Sequence, residues 1–104
     1  MAKKKFAMMI MNPGYDPERD RLRLDTPDTE THIITVQNAG QALETAARLA
    51  DQGFGAIEVC GAFGEKLAQE MYEAAGCRVP VGYVTTPPGQ LPQALAFWGE
   101  KEQP

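Results

Sequence analysis

A chain of 104 residues, 43% hydrophobic and 23% charged, has the makeup of a soluble globular protein and length for a single domain, 1–104, able to bury roughly 60–70% of its unfolded surface. Its net charge of −4 and pI of about 4.9 withhold the cationic surface on which nucleic-acid affinity rests, so no nucleic-acid partner is expected. No stretch approaches the ~20 apolar residues of a membrane span, and the run Phe6–Met11 is shorter than the roughly 7–15 residues of a secretory core, so no membrane partner is expected and the cytoplasm is the expected location, with both cysteines reduced.

Phe6 to Met11 is an unbroken apolar run of strand length, the pattern of a strand covered on both faces in the middle of a sheet. Lys3-Lys4-Lys5 before it reads as a solvated N-terminus. The polar stretch 12–30 holds Pro13, Pro17 and Pro27 as breakers and reads as a lid-like excursion. Within it, the alternation Arg21-Leu22-Arg23-Leu24 has room for a short edge strand.

Thr31–Val36 is the second clear strand. Asn38 and Gln41 form a capping-box pattern ahead of a helix over 39–52, which Gly53 ends. The third strand spans 56–60, a second helix 65–75 with Gly76 at its end, and the fourth strand 79–85. Pro87-Pro88-Gly89 then breaks the chain before a final helix from about Leu91 to Gly99.

Strand and helix alternate, which predicts an α/β fold: about four strands in a mainly parallel sheet with three helices, β-β-α-β-α-β-α. If the last three strands lie side by side, both crossover helices fall on one face. The first strand and the final helix, or a second subunit, must then cover the other. That shortage of cover predicts a homodimer or higher homo-oligomer.

The segments Met11-Asn12-Pro13-Gly14-Tyr15-Asp16, Gly55 to Gly64 and Val81-Gly82-Tyr83-Val84 resemble a family of small prokaryotic α/β proteins, a domain family of unknown function. The resemblance runs from Phe6 to about Val84. It implies a stand-alone α/β domain and supplies no reaction, cofactor or catalytic residue, so the cofactor is unknown on this reading.

Gly53 to Lys66 carries the strongest functional signal, a strand running into a glycine turn and a helix start. In a parallel sheet that junction lies at the carboxyl rim, where ligands settle. Cys60 sits at the junction. A helix N-terminus lowers a thiol pKa, which makes Cys60 a candidate nucleophile and predicts faster alkylation than Cys77; the bland reading is a small buried apolar residue. Glu58 lies two residues earlier and so on the same face, a candidate general acid or base if buried, or a wet or arginine-paired side chain if not. The lone histidine, His32, belongs at the opposite edge with Cys77, so a Cys60–His32 dyad is not expected. One histidine and two separated cysteines make no metal set.

The glycines match no nucleotide motif: Gly53-Phe54-Gly55 precedes its strand, and Gly61 to Gly64 lacks both the dinucleotide spacing and the P-loop lysine. The rim positions Asn12, Tyr15, Gly61, Phe63, Gly64 and Thr85 are the candidate ligand-binding residues around Cys60. They point to an anionic small molecule as partner. The alternative is an assembly or regulatory module, with 12–30 and Trp98 making subunit contacts.

Overall fold

The apolar run near the N-terminus becomes the middle of the sheet. The structure, a computed structural model, describes residues 3–99. Its elements are β1 (Lys4–Met11), β2 (Leu22–Asp25), β3 (Thr29–Val36), α1 (Ala39–Asp51), β4 (Ala56–Val59), α2 (Gly64–Ala74), β5 (Val81–Tyr83) and α3 (Leu91–Trp98), with a 3₁₀ turn at Pro88–Gln90. The sheet order is β2-β3-β1-β4-β5. β1 runs parallel to β3 and β4, and β4 to β5, whereas β2 is antiparallel to β3.

The fold is therefore α/β with a mixed five-stranded sheet, one strand more than expected. The strands at 31–36 and 56–60 are not neighbours, because β1 enters between them. The polar excursion is also shorter than expected: from Leu22 the chain is already in the β2–β3 hairpin, and the connecting segment is residues 12–21.

Both crossovers, β3 to β4 through α1 and β4 to β5 through α2, step toward the same edge. Right-handed connections then place both helices on one face, where they pack on each other. The core lies beneath them: Ala7 and Met9 of β1, Val36, Ile57 and Val59 meet Ala42, Ala46 and Leu49 of α1 and Leu67, Ala68 and Met71 of α2. Burying each large aliphatic side chain contributes about 1.5–3 kcal/mol.

Local chemistry sets the helix ends. Asn38 Oδ1 accepts from the Gln41 N–H at 2.9 Å, and Gln41 Oε1 accepts from the Gln37 N–H at 2.8 Å, one residue outside the cap. Gly53 (φ 87°) and Gly76 (φ 71°) stop α1 and α2 in the left-handed region. Beyond them, Phe54 and Cys77 donate back to the carbonyls of Leu49 and Tyr72.

Residues 12–21 are held by their own acidic side chains. Asp16 Oδ1 accepts from the Glu18 N–H at 2.9 Å, and Asp20 Oδ2 from the Asp16 N–H at 2.8 Å. Arg19 forks onto Asp20, and that hydrogen bond, then the Asp16 N–H, holds the Asp20 carboxyl down at about 2. The Thr35 hydroxyl donates to the Asp20 carbonyl at 2.7 Å. Since Thr35 alternates with the core residue Val36, the segment crosses the end of β3 on the face away from α1 and α2.

The rest of that face is open. Leu22, Ile33, Met8, Glu58 and Gly82 stand level across all five strands, and Leu24, Thr31, Phe6 and Ala56 form the next row. Phe6, Met8 and Ile10 are half-buried, which corrects the expectation that β1 is covered on both sides. α3 has no buried residue.

Candidate functional site

The ladder continues one residue beyond each central strand. Asn12 N–H donates to the Val36 carbonyl at 3.0 Å, Cys60 N–H to Met9 at 3.1 Å and Val84 N–H to Val59 at 3.0 Å. These bonds bring the strand ends level at the carboxyl rim. Asn12 Oδ1 then accepts from the Gly14 N–H at 2.8 Å, and Tyr15 N–H donates to the Asn12 carbonyl at 3.1 Å, a turn that brings Tyr15 over the rim.

A cavity of about 440 Å³ opens there, within the size range of small-molecule sites. The structure brings Asn12, Tyr15, Cys60, Gly61 and Thr85 together in its wall, five of the rim positions expected from the sequence. The opposite wall is Leu91 and Trp98 of α3, with Ile10 and Val84 from the open face. Those four were not expected. A strand-end argument locates rim residues, but nothing local says where a helix beyond a Pro87-Pro88 break will lie.

Three expected residues stay outside. Phe63 is buried at 6% exposure in the core, because its N–H closes a turn on the Cys60 carbonyl at 3.1 Å. Gly64 (φ 73°) opens α2 away from the cavity wall. Glu58 is exposed and outside the cavity wall, which fits the wet alternative and not the buried acid or base, because no layer covers β4 on that side.

Cys60 is half-buried with a free thiol, and Cys77 is free and exposed. His32 alternates with Ile33 and so occupies the helix-bearing face, opposite to Cys60. There His32 Nε2 lies 2.7 Å from Glu30 Oε2, and its ring meets Phe54 edge-on with centroids 5.0 Å apart. The hydrogen bond from His32, ahead of the Arg23 charge, holds the Glu30 carboxyl below its ordinary range. Cys60 therefore has neither His32 nor Glu58 as a base in the cavity wall.

Among the described residues, the cavity wall contains no lysine or arginine. The polar residues that line it are Asn12, Tyr15, Cys60, Thr85 and Thr86. The first turn of α2 carries Glu65, which offsets the positive end of that helix. Glu65 also pushes the Tyr83 phenol up, chiefly by its charge.

A larger, shallower trough of about 680 Å³ lies between α1 and β2–β3. Arg23 there pairs with Asp25 and Glu30, each at 3.1 Å, and Glu18, Arg21, Glu44 and Arg48 also line it. Among the described residues no group of three or more His, Cys, Asp or Glu is placed to hold a metal ion. Nor is any helix there long and apolar enough to cross a membrane.

Residues 4–99 match the family described as "Family of unknown function (DUF6506)", and the chain belongs to that family. The match agrees with the resemblance seen in the sequence and extends it beyond Val84, through α3. No curated protein and no solved structure matches the chain.

Proposed function

We propose that this member of the DUF6506 family binds a small, flat, mostly apolar molecule with hydrogen-bonding groups in the rim cavity beside Cys60. The observation that carries this reading is the convergence of Tyr15, Trp98, Cys60 and Thr85 around one 440 Å³ space. Aromatic side chains supply flat contact area, and hydroxyl and amide groups orient a ligand. The sequence favoured an anionic metabolite. Among the described residues the wall has no cationic side chain, and this, with Glu65 in the nearest helix start, favours a neutral ring compound over a phosphate.

Binding is better supported than catalysis. A cysteine nucleophile needs a base or an electropositive surrounding, and the described residues of the wall supply neither. The free thiols of Cys60 and Cys77 fit the reducing conditions of a cytoplasmic location.

Trp98 is the chain's one tryptophan and lies in the cavity wall, so its fluorescence reports occupancy. Benzamide, nicotinamide, benzoate and inorganic phosphate form a suitable probe panel. Saturable Trp98 quenching and amide shifts at Gly61 and Thr85 with the neutral rings, lost in Ala62→Phe, are expected. Binding of phosphate alone, or shifts confined to the α1–β3 trough, would overturn the reading.

A further inference from the structure

We propose that the uncovered sheet face and α3 together form the interface of a homodimer, with a second copy of this chain as the occupant. The inference does not depend on the ligand reading, although the two surfaces share Ile10, Val84, Leu91 and Trp98.

The two rows across the open face carry one charged side chain, Glu58, in a protein of which 23% of residues are charged. α3, Leu-Pro-Gln-Ala-Leu-Ala-Phe-Trp, carries none. Surface helices present a polar side to water; this helix has no polar stripe and no buried residue. The exposures are large: Phe97 76%, Trp98 62%, Leu22 64%, Leu24 58% and Val84 50%. The surfaces are continuous, because Ile10 and Val84 of the sheet meet Leu91 and Trp98 of α3 at the rim cavity.

The area suffices. A standard interface removes about 800 Å² per partner, of which roughly 500 Å² is apolar. Phe97 and Trp98 alone expose on the order of 300 Å², from the usual aromatic side-chain areas. Leu22, Leu24, Val84 and the half-buried Phe6, Met8 and Ile33 supply the remainder. A two-fold axis serves such a patch, because an apolar surface of this kind complements a copy of itself. Glu58 stands beside the β5 edge, next to Gly82, where the charged rim of an interface belongs. In the dimer the cavity mouth beside Trp98 is covered by the second copy.

Light scattering and sedimentation velocity on the full chain between ~5 and ~200 µM test the proposal. The expected mass is twice 11.4 kDa. Phe97→Glu and Leu24→Glu, at positions exposed in the single chain, are each expected to weaken dimerisation about thirtyfold or more while keeping the far-ultraviolet circular dichroism of the parent. Arg48→Ala, on the opposite side, is expected to leave it unchanged. A parent mass of 11.4 kDa throughout that range overturns the proposal. So does a dimer that both substitutions leave intact, or a monomer that instead binds phosphatidylcholine vesicles through Trp98.

Discussion

Gln37 Nε2 donates to the main-chain carbonyl of Tyr15 at 2.7 Å, so the aromatic wall of the rim cavity hangs from the residue that precedes the cap of α1. Gln37 is itself held twice by Gln41, through its N–H at 2.8 Å and its side-chain carbonyl at 3.1 Å. Helix start and cavity wall are thus one hydrogen-bonded unit.

Gln37→Leu cuts the tether to Tyr15 and the side-chain bond from Gln41 Nε2, and leaves the Gln37 N–H bond to Gln41 in place. A net loss of about 1–2 kcal/mol in urea unfolding is expected for these two bonds, with faster amide exchange at Tyr15 and Asp16 and weaker probe binding in the cavity. Unchanged exchange in that segment would show that the tether does not position Tyr15.

Asn38→Ala removes the cap itself, at an expected cost of about 1 kcal/mol, whereas Asn38→Asp keeps an acceptor for the Gln41 N–H and stays near the parent. Equal loss in both variants, measured by urea unfolding, would mean that the Asn38 side chain contributes by something other than capping.

Much of this arrangement was legible in the sequence. Asn38, Gln41, Gly53 and Gly76 mark helix ends by local chemistry, and the structure uses each of them. Strand order was not legible, because the run Phe6–Met11 states that a strand is buried and not between which neighbours. Residues 12–21 looked structureless since their order comes from Asp16 and Asp20 accepting backbone N–H groups, a pattern without hydrophobic periodicity. At the site, Asn12, Tyr15, Cys60, Gly61 and Thr85 were readable because parallel strands end together. Phe63 was misplaced because one turn rotated its ring into the core, and of the two readings left open for Glu58 the wet one holds because no element covers that face.

Ile57→Ala tests where the core lies. Ile57 is 1% exposed beneath the helices, and its truncation is expected to cost about 2–5 kcal/mol. Leu22→Ala on the open face should cost well under that in a single chain, and more at concentrations where the proposed dimer would form. A comparable loss for both at high dilution would place the core differently.

Acid should destabilise the fold over a defined window. Glu30, Asp20 and Asp28 all have folded pKa values below their ordinary ones, through hydrogen bonds led by His32, Arg19 and Thr26 respectively. Lowered values mean that their stabilisation is complete above the unfolded pKa and lost as pH falls through the folded one. The loss therefore begins near pH 4.5 for Glu30 and runs to about 2 for Asp20. These groups are near solvent, so salt should shrink the effect. Urea midpoints at pH 6, 4 and 2.5 should fall progressively, and less steeply in Glu30→Gln combined with Asp20→Asn. An identical slope in that double variant would assign the acid sensitivity to other groups.

The two thiols separate accessibility from activation. Cys77 is exposed just after α2, with φ 56°, while Cys60 is half-buried in the cavity wall. The helix-start argument alone ranks Cys60 as the faster thiol; exposure, with no base in the cavity wall, reverses that order. Iodoacetamide labelling followed by mass spectrometry is expected to modify Cys77 first, and a ring compound that quenches Trp98 is expected to slow Cys60 without affecting Cys77. Cys77→Ser isolates the Cys60 rate. If Cys60 reacts as fast as Cys77 despite its burial, the Gly61–Gly64 turn activates the thiol, and the cavity is a nucleophilic site instead of a binding site.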